Sequence, residues 1–195
     1  MSLFYRSAPR RLTANESGQA MVEFALIVPM LLILVSASID FGRALYTMQV
    51  MAELTRQGSN LASRDDTLPN AVSALIAGES GLNIGTYGEV IITQVTNTGT
   101  TASPTYTMTG QATGGGLVEA SRVGTYSSST GAKNTATMPA AFVAGTLQAS
   151  QSTYITEIFY QFTPITPLLT LTKNWPKKGA AGIGLPSMLY DYTYF

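Results

Sequence analysis

Residues 18–43 read GQAMVEFALIVPMLLILVSASIDFGR, and the organisation of the whole chain hangs on them. The apolar run within this stretch, Ala20 to Ile39, is 20 residues long. At about 1.5 Å of rise per residue, a helix of that length matches a hydrocarbon core of about 30 Å. One carboxylate, Glu23, lies near the start of the run. A charge at bilayer depth costs about 2.5–3.5 kcal/mol on insertion scales and calls for a partner. Arg6, Arg10 and Arg11 precede the run and Asp40 closes it. The positive-inside rule then leaves the N-terminus in the cytoplasm and everything after Phe41 outside. The run exceeds the apolar region of a secretory signal peptide, about 7–15 residues, although Ser36-Ala37-Ser38 mimics a small-residue cleavage site. Pro29 removes one donor from the helical ladder and frees the carbonyl of Ala25, which predicts a kink or a loosened turn.

Beyond the run, Ala44, Thr47, Met51, Leu54, Gly58 and Leu61 recur at spacings of three and four, and Leu45, Met48 and Ala52 widen that stripe. Gln49, Glu53, Arg56 and Gln57 fill the opposite surface. This pattern predicts one continuous helix, half in lipid and half amphipathic, ended by Asp65-Asp66-Thr67-Leu68-Pro69. Thr67 or Asp66 then caps a short second helix running through Ile76 and stopped at Gly78.

After Gly81 the composition turns to Gly, Ser, Thr and β-branched residues. Val90 to Thr96 reads as a strand, Thr105–Thr109 and Leu117–Val123 as weaker ones separated by Gly114-Gly115-Gly116. Tyr154, Thr156, Ile158, Tyr160 and Phe162 alternate cleanly up to Pro164. Residues 124–138, nearly all Ser, Thr, Gly and Ala, read as an exposed loop. The expected fold class is α+β, a long N-terminal transmembrane and amphipathic helix followed by a small, mostly antiparallel sheet domain. The part from Leu68 onward is expected to fold without the long helix, with strand 153–163 central.

The chain contains no histidine and no cysteine. Disulfides, thiolate nucleophiles, Ser-His-Asp triads and His or Cys zinc sites are therefore excluded. Eleven basic residues balance eleven acidic ones, so no basic stripe offers counterion release to nucleic acid. Asp65-Asp66, the one adjacent acidic pair, reads better as a solvated helix end than as a metal site. These exclusions point away from an enzyme and from a cofactor.

Gly18 to Arg43 resembles the N-terminus of the TadE-like pseudopilins, the minor pilins of tight-adherence (Flp, type IVc) pilus systems. The matching features are a glycine, a glutamate five residues later, a Phe-Ala-Leu apolar stretch with a proline, and an Asp/Gly/Arg exit into a long helix. The stretch TYITEIFYQFTPITPLL, residues 153–169, is similar to that family's strand ending in an aromatic pair and a proline. The resemblance implies that Gly18 is the last residue of a cytoplasmic leader, 1–18. Gln19 would be the N-terminus left by a prepilin peptidase, and Glu23 the acid retained for assembly alongside Pro29. It implies a pilin-like helix over 19–66 and an extracytoplasmic α+β domain over 67–195. The expected setting is the bacterial cytoplasmic membrane, with other pilin and minor pilin subunits and the lipid bilayer as partners, and with passage into an extracellular pilus.

Two readings of Glu23 stand at this level: snorkelling to the lipid interface, or pairing with the ammonium of Gln19 on the same or a neighbouring subunit. Two also stand for the tail Tyr190, Tyr192, Tyr194 and Phe195: a last strand covering the sheet edge, or a docking surface. Lys173, Lys177 and Lys178 around Trp175 read as an exposed loop or a membrane-surface patch. About 130 residues beyond the helix favour a minor pilin for assembly, priming or tip over a principal filament subunit. A single-span anchored binding domain that never polymerises is the other alternative.

Overall fold

A computed structural model of the chain describes residues 16–64, 67–79, 81–129, 134–165 and 187–195. The leader arginines, Asp65-Asp66, residues 166–169 of the family-like strand end, and the Lys173–Lys178 group lie outside the described residues. Helix α1 runs Glu16–Ala62 without interruption at Pro29. At about 1.5 Å per residue it is roughly 70 Å long. Its most apolar window has a mean hydropathy of 2.4 and none of it is buried by the rest of the chain, so α1 is long and apolar enough to cross a membrane. The second half is different. Asp40, Ala44, Thr47, Met51, Leu54, Thr55, Ser59 and Ala62 form one buried stripe. The periodicity found this stripe, but Leu45 and Met48 stay outside it, about half exposed.

Helix α2 (Leu68–Gly78) starts after Thr67, whose extended backbone caps without a side-chain hydrogen bond. Its buried side chains Ala71, Val72 and Leu75 face the sheet. A single turn, α3 (Ile84–Tyr87), follows and buries Ile84; the sequence pattern had not indicated it. The sheet comprises β1 (Gly88–Asn97), β2 (Tyr106–Gly115), β3 (Ser152–Gln161) and β4 (Met188–Tyr194) in the order β2-β1-β3-β4. All neighbouring pairs are antiparallel. The architecture is thus the α+β class expected, with β1 and β3 central.

Strand β2 corrects the expectation that Gly114 to Gly116 separate two strands. It extends through Gly115 and pairs with β1 down to Glu89. Gly114 permits this, because a Cβ there would lie 2.7 Å from Val72 Cγ1 and 3.0 Å from Ile76 Cδ1 of α2. A smooth strand surface lets the helix come close, and the glycines are part of the sheet. Gly115 then turns the chain at φ +137°, a conformation that favours glycine. Leu117–Val123 consequently pairs with nothing as a strand. It crosses the back of the sheet, with Val118 96% exposed and Val123 buried.

The two sheet faces have separate cores. On the helix face, Val90, Ile92, Ile158, Phe162 and Leu189 pack with Met51, Leu54 and Ala62 of α1 and Val72 and Leu75 of α2. On the back, Val95, Met108, Val123 and Ile155 pack with Tyr106, Tyr126, Ala136 and Met138. Residues 124–138 are therefore only partly the exposed loop expected. Thr135 bridges Thr107 at the β2 edge. Met51, Leu54 and Ala62 of α1 complete a helix-face core whose other members lie beyond Leu68, apart from Ala44. Burial of Met51 and of Leu54 contributes about 1.5–3 kcal/mol each, so α1 is a structural layer of the domain.

Candidate functional site

At the start of α1, Gly18 is exposed and a Cβ on it would meet nothing within 4 Å among the described residues. Gln19 and Glu23 are one helical turn apart, and Gln19 Nε2 donates to Glu23 Oε1 at 3.1 Å. The structure thus brings together two of the four residues singled out in the sequence. The contact here is through the side-chain amide. Around them Met21, Val22, Phe24 and Leu26 are all exposed, as expected of a lipid-facing surface. Pro29 lies six residues further along the same unbroken helix.

Where α1 leaves the apolar run, it clasps the sheet domain. Asp40 is fully buried, and its Oδ1 accepts a hydrogen bond of 2.9 Å from the backbone N–H of Ile165. Arg43, one turn on, lies 3.9 Å from the same oxygen. Its guanidinium donates to the carbonyl of Thr163 at 3.4 Å and sits 5.5 Å above the Phe162 ring. The Asp40/Arg43 exit and the Phe162-Thr163-Pro164 strand end, two separate family-like segments in the sequence, are thus one junction in the fold. Beside it opens a cleft of about 480 Å³ lined by Arg43, Tyr46, Leu82, Tyr87, Tyr160 and Ile165 among others. Burial raises the Tyr160 phenol above its ordinary pKa, with Arg43 opposing the shift, so it remains a neutral donor at the cleft wall.

Further along, α1 meets β3 and β4 through hydroxyls. Thr55 Oγ1 donates to Asp191 Oδ2 at 2.9 Å. Ser59 Oγ bonds Thr156 Oγ1 and the Thr193 carbonyl, both at 2.9 Å. Gly58 between them leaves no room for a side chain, since a Cβ would lie 2.8 Å from Thr156 Cγ2. The helix and the sheet approach at the distance these small residues allow.

The back of the sheet holds Glu157, a fully buried carboxylate that the sequence reading passed over. Ser121 Oγ donates to its Oε2, and the Arg122 N–H and Tyr190 hydroxyl donate to its Oε1, each at 2.9 Å. Burial first, then the charge and hydrogen bond of Glu157, push the Tyr190 phenol well above its usual range, so the donor stays protonated. The Arg122 guanidinium stacks 3.5 Å from the Tyr190 ring centroid. A signal for this was available: Ile155 and Phe159 share Glu157's parity on β3, and two apolar neighbours imply that this face too is covered. The tyrosine tail itself is β4, paired to β3 from Ile155↔Tyr194 to Gln161↔Met188. Of its two readings, the structure supports the sheet-edge strand.

A long apolar helix whose second half is built into a small antiparallel sheet, with an acid one turn into its exposed start, defines an α+β protein with one helix apolar enough to cross a membrane. Residues 18–60 match the family model described as TadE-like protein. This is the family resembled by Gly18–Arg43, and the match continues through the hydroxyl seam at Thr55–Ser59. No curated protein and no solved structure matches the chain.

Proposed function

We propose that this protein is a membrane-inserted minor pilin-like subunit serving assembly, priming or the tip of a tight-adherence pilus. It is a non-enzymatic component, processed between Gly18 and Gln19 by a prepilin peptidase. The observation that carries the reading is the TadE-like segment 18–60, in which a Gly-Gln pair and Glu23 open a single unbroken apolar helix. The fold supports the cleavage step in a specific way. Glycine costs a helix interior about 0.8–1 kcal/mol relative to alanine. No contact of Gly18 among the described residues requires that it be glycine. A peptidase that binds its substrate extended supplies a requirement that the fold does not, because a glycine backbone is readily drawn out of the helix and into a narrow cleft.

Glu23 serves assembly. Cleavage frees an ammonium at Gln19, one turn from the carboxylate, and in low dielectric the pair offsets much of the desolvation cost each charge would carry alone. The cytoplasmic membrane is the site of insertion, the sheet domain lies on its outer side, and the other pilin subunits of the machine are the partners. The test is Glu23→Ala expressed in the native host. The variant is expected to insert at least as well as wild type, because a charge has left the span, while pilus assembly falls sharply. Undiminished pili with Glu23→Ala would overturn the role of the acid.

A further inference from the structure

We propose that the turn Thr163–Ile165, with Tyr46 and Tyr87 lining the cleft beside it, is a second membrane contact on which the sheet domain rests. Its occupant is the lipid interface of the bilayer that α1 crosses. The inference rests on the spanning role of α1 and adds to it a fixed posture of the domain.

Height comes first. The hydrogen bond from the Ile165 N–H to Asp40 Oδ1, 2.9 Å long, ties the turn to the first residue after the apolar run. The helix is continuous there, so Asp40 stands at the hydrocarbon boundary, and Ile165 stands at the same level. Arg43, three residues on, is about 5 Å further out, inside a headgroup layer of about 5–8 Å per leaflet. It is bonded to Thr163. The turn is therefore held down against the bilayer surface from two points on α1.

Chemistry agrees with position. Ile165 is 68% exposed, while Phe162, three residues before it, is buried. Tyr46 and Tyr87, which line the same cleft, are each about half exposed. An aliphatic side chain with aromatic rings around it is a poor water-facing surface and a good interfacial one, where rings sit at headgroup level. The cleft beside the turn is lined by Arg43, Tyr46, Tyr87 and Tyr160, whose guanidinium and phenols are donors suited to phosphate and glycerol oxygens.

The chain has no cysteine, so single-cysteine variants of the full chain can be labelled cleanly with a nitroxide. Ile165→Cys is compared with Leu32→Cys in the middle of the span and with Val118→Cys on the far side of the sheet. All are reconstituted in vesicles of phosphatidylethanolamine and phosphatidylglycerol. Collision rates with oxygen, which concentrates in lipid, and with a water-soluble nickel chelate are then read. The ratio of oxygen to nickel collisions at position 165 is expected to exceed that at 118 several-fold and to approach that at 32. A lipid-like ratio at 32 with a water-like ratio at 165 overturns the proposal and leaves the span intact. A label at 165 shielded from both reagents means protein covers the turn, which also overturns it. A water-like ratio at 32 removes the spanning role, and the proposal with it.

Discussion

Glu157 shows how one residue fixes a surface that composition leaves undefined. Residues 117–129 have mostly small or polar side chains, and Val123 and Tyr126 are what they bring to the back-face core. What holds them is a buried carboxylate accepting from Ser121, Arg122 and Tyr190. Glu157→Ala leaves those donors without an acceptor, at about 1–3 kcal/mol for each one that stays buried. We expect a destabilisation of several kcal/mol, measured by denaturant unfolding of the detergent-solubilised chain. Tyr190→Phe, which removes one charge-assisted bond, should cost about 1.5–3 kcal/mol. Glu89 on β1 behaves differently. Burial raises its pKa, the backbone N–H of Glu119 opposes that shift, and the charge of Glu119 adds to it. A carboxyl whose pKa is raised on folding contributes stability that is fully present below its unfolded value of 4.5. That contribution is lost as pH rises through the folded value. Glu89→Gln should therefore gain stability over wild type at pH 7 and lose that advantage below pH 4.5. An advantage of equal size at both pH values would show that ionisation of Glu89 is not its source.

Helix α1 is one element with two environments, and both were legible before the fold was known. The first half is a bare apolar run, and the second carries a three-four stripe that the sheet indeed covers. The stripe's width was not legible, because Leu45 and Met48 are as apolar as Met51. Only the position of β3 and β4 determines which of them is buried. Strand β3 was found from its alternation, but alternation describes a half-buried strand, and β3 is covered on both faces. Its second face is covered by a loop whose sequence has no period. Strand β2 was cut short because glycines ordinarily punctuate strands, whereas Gly114 is where α2 presses on the sheet. Autonomy is a separate question, because α1 contributes to the helix-face core. A fragment starting at Leu68 lacks Met51, Leu54 and Ala62 of the helix-face core and the Thr55 and Ser59 bonds to β3 and β4. We expect residues 68–195 to show no cooperative thermal melt, and residues 42–195 to melt cooperatively. Equal melts from both fragments would mean that α1 adds no more than a tether.

At the scale of the whole molecule, the span, the clasp at Asp40 and Arg43, and the domain form one mechanical path from the bilayer to the sheet. Hydrogen bonds tie α1 to the strand end after β3 at Ile165 and Thr163 and to β4 through Thr55 and Ser59. Of the candidate site, the helix start was readable because Gly18, Gln19 and Glu23 follow one another in sequence. The junction was not, because Asp40 and Ile165 are 125 residues apart and only folding brings them together. The central claim, a peptidase-processed pilin-like subunit, is tested most directly by the N-terminus of the protein isolated from its native host. Intact-mass measurement with N-terminal sequencing should find a chain beginning at Gln19, and Gly18→Val should accumulate as the unprocessed form. Assembled protein that still carries Met1 or Ser2 would contradict the account.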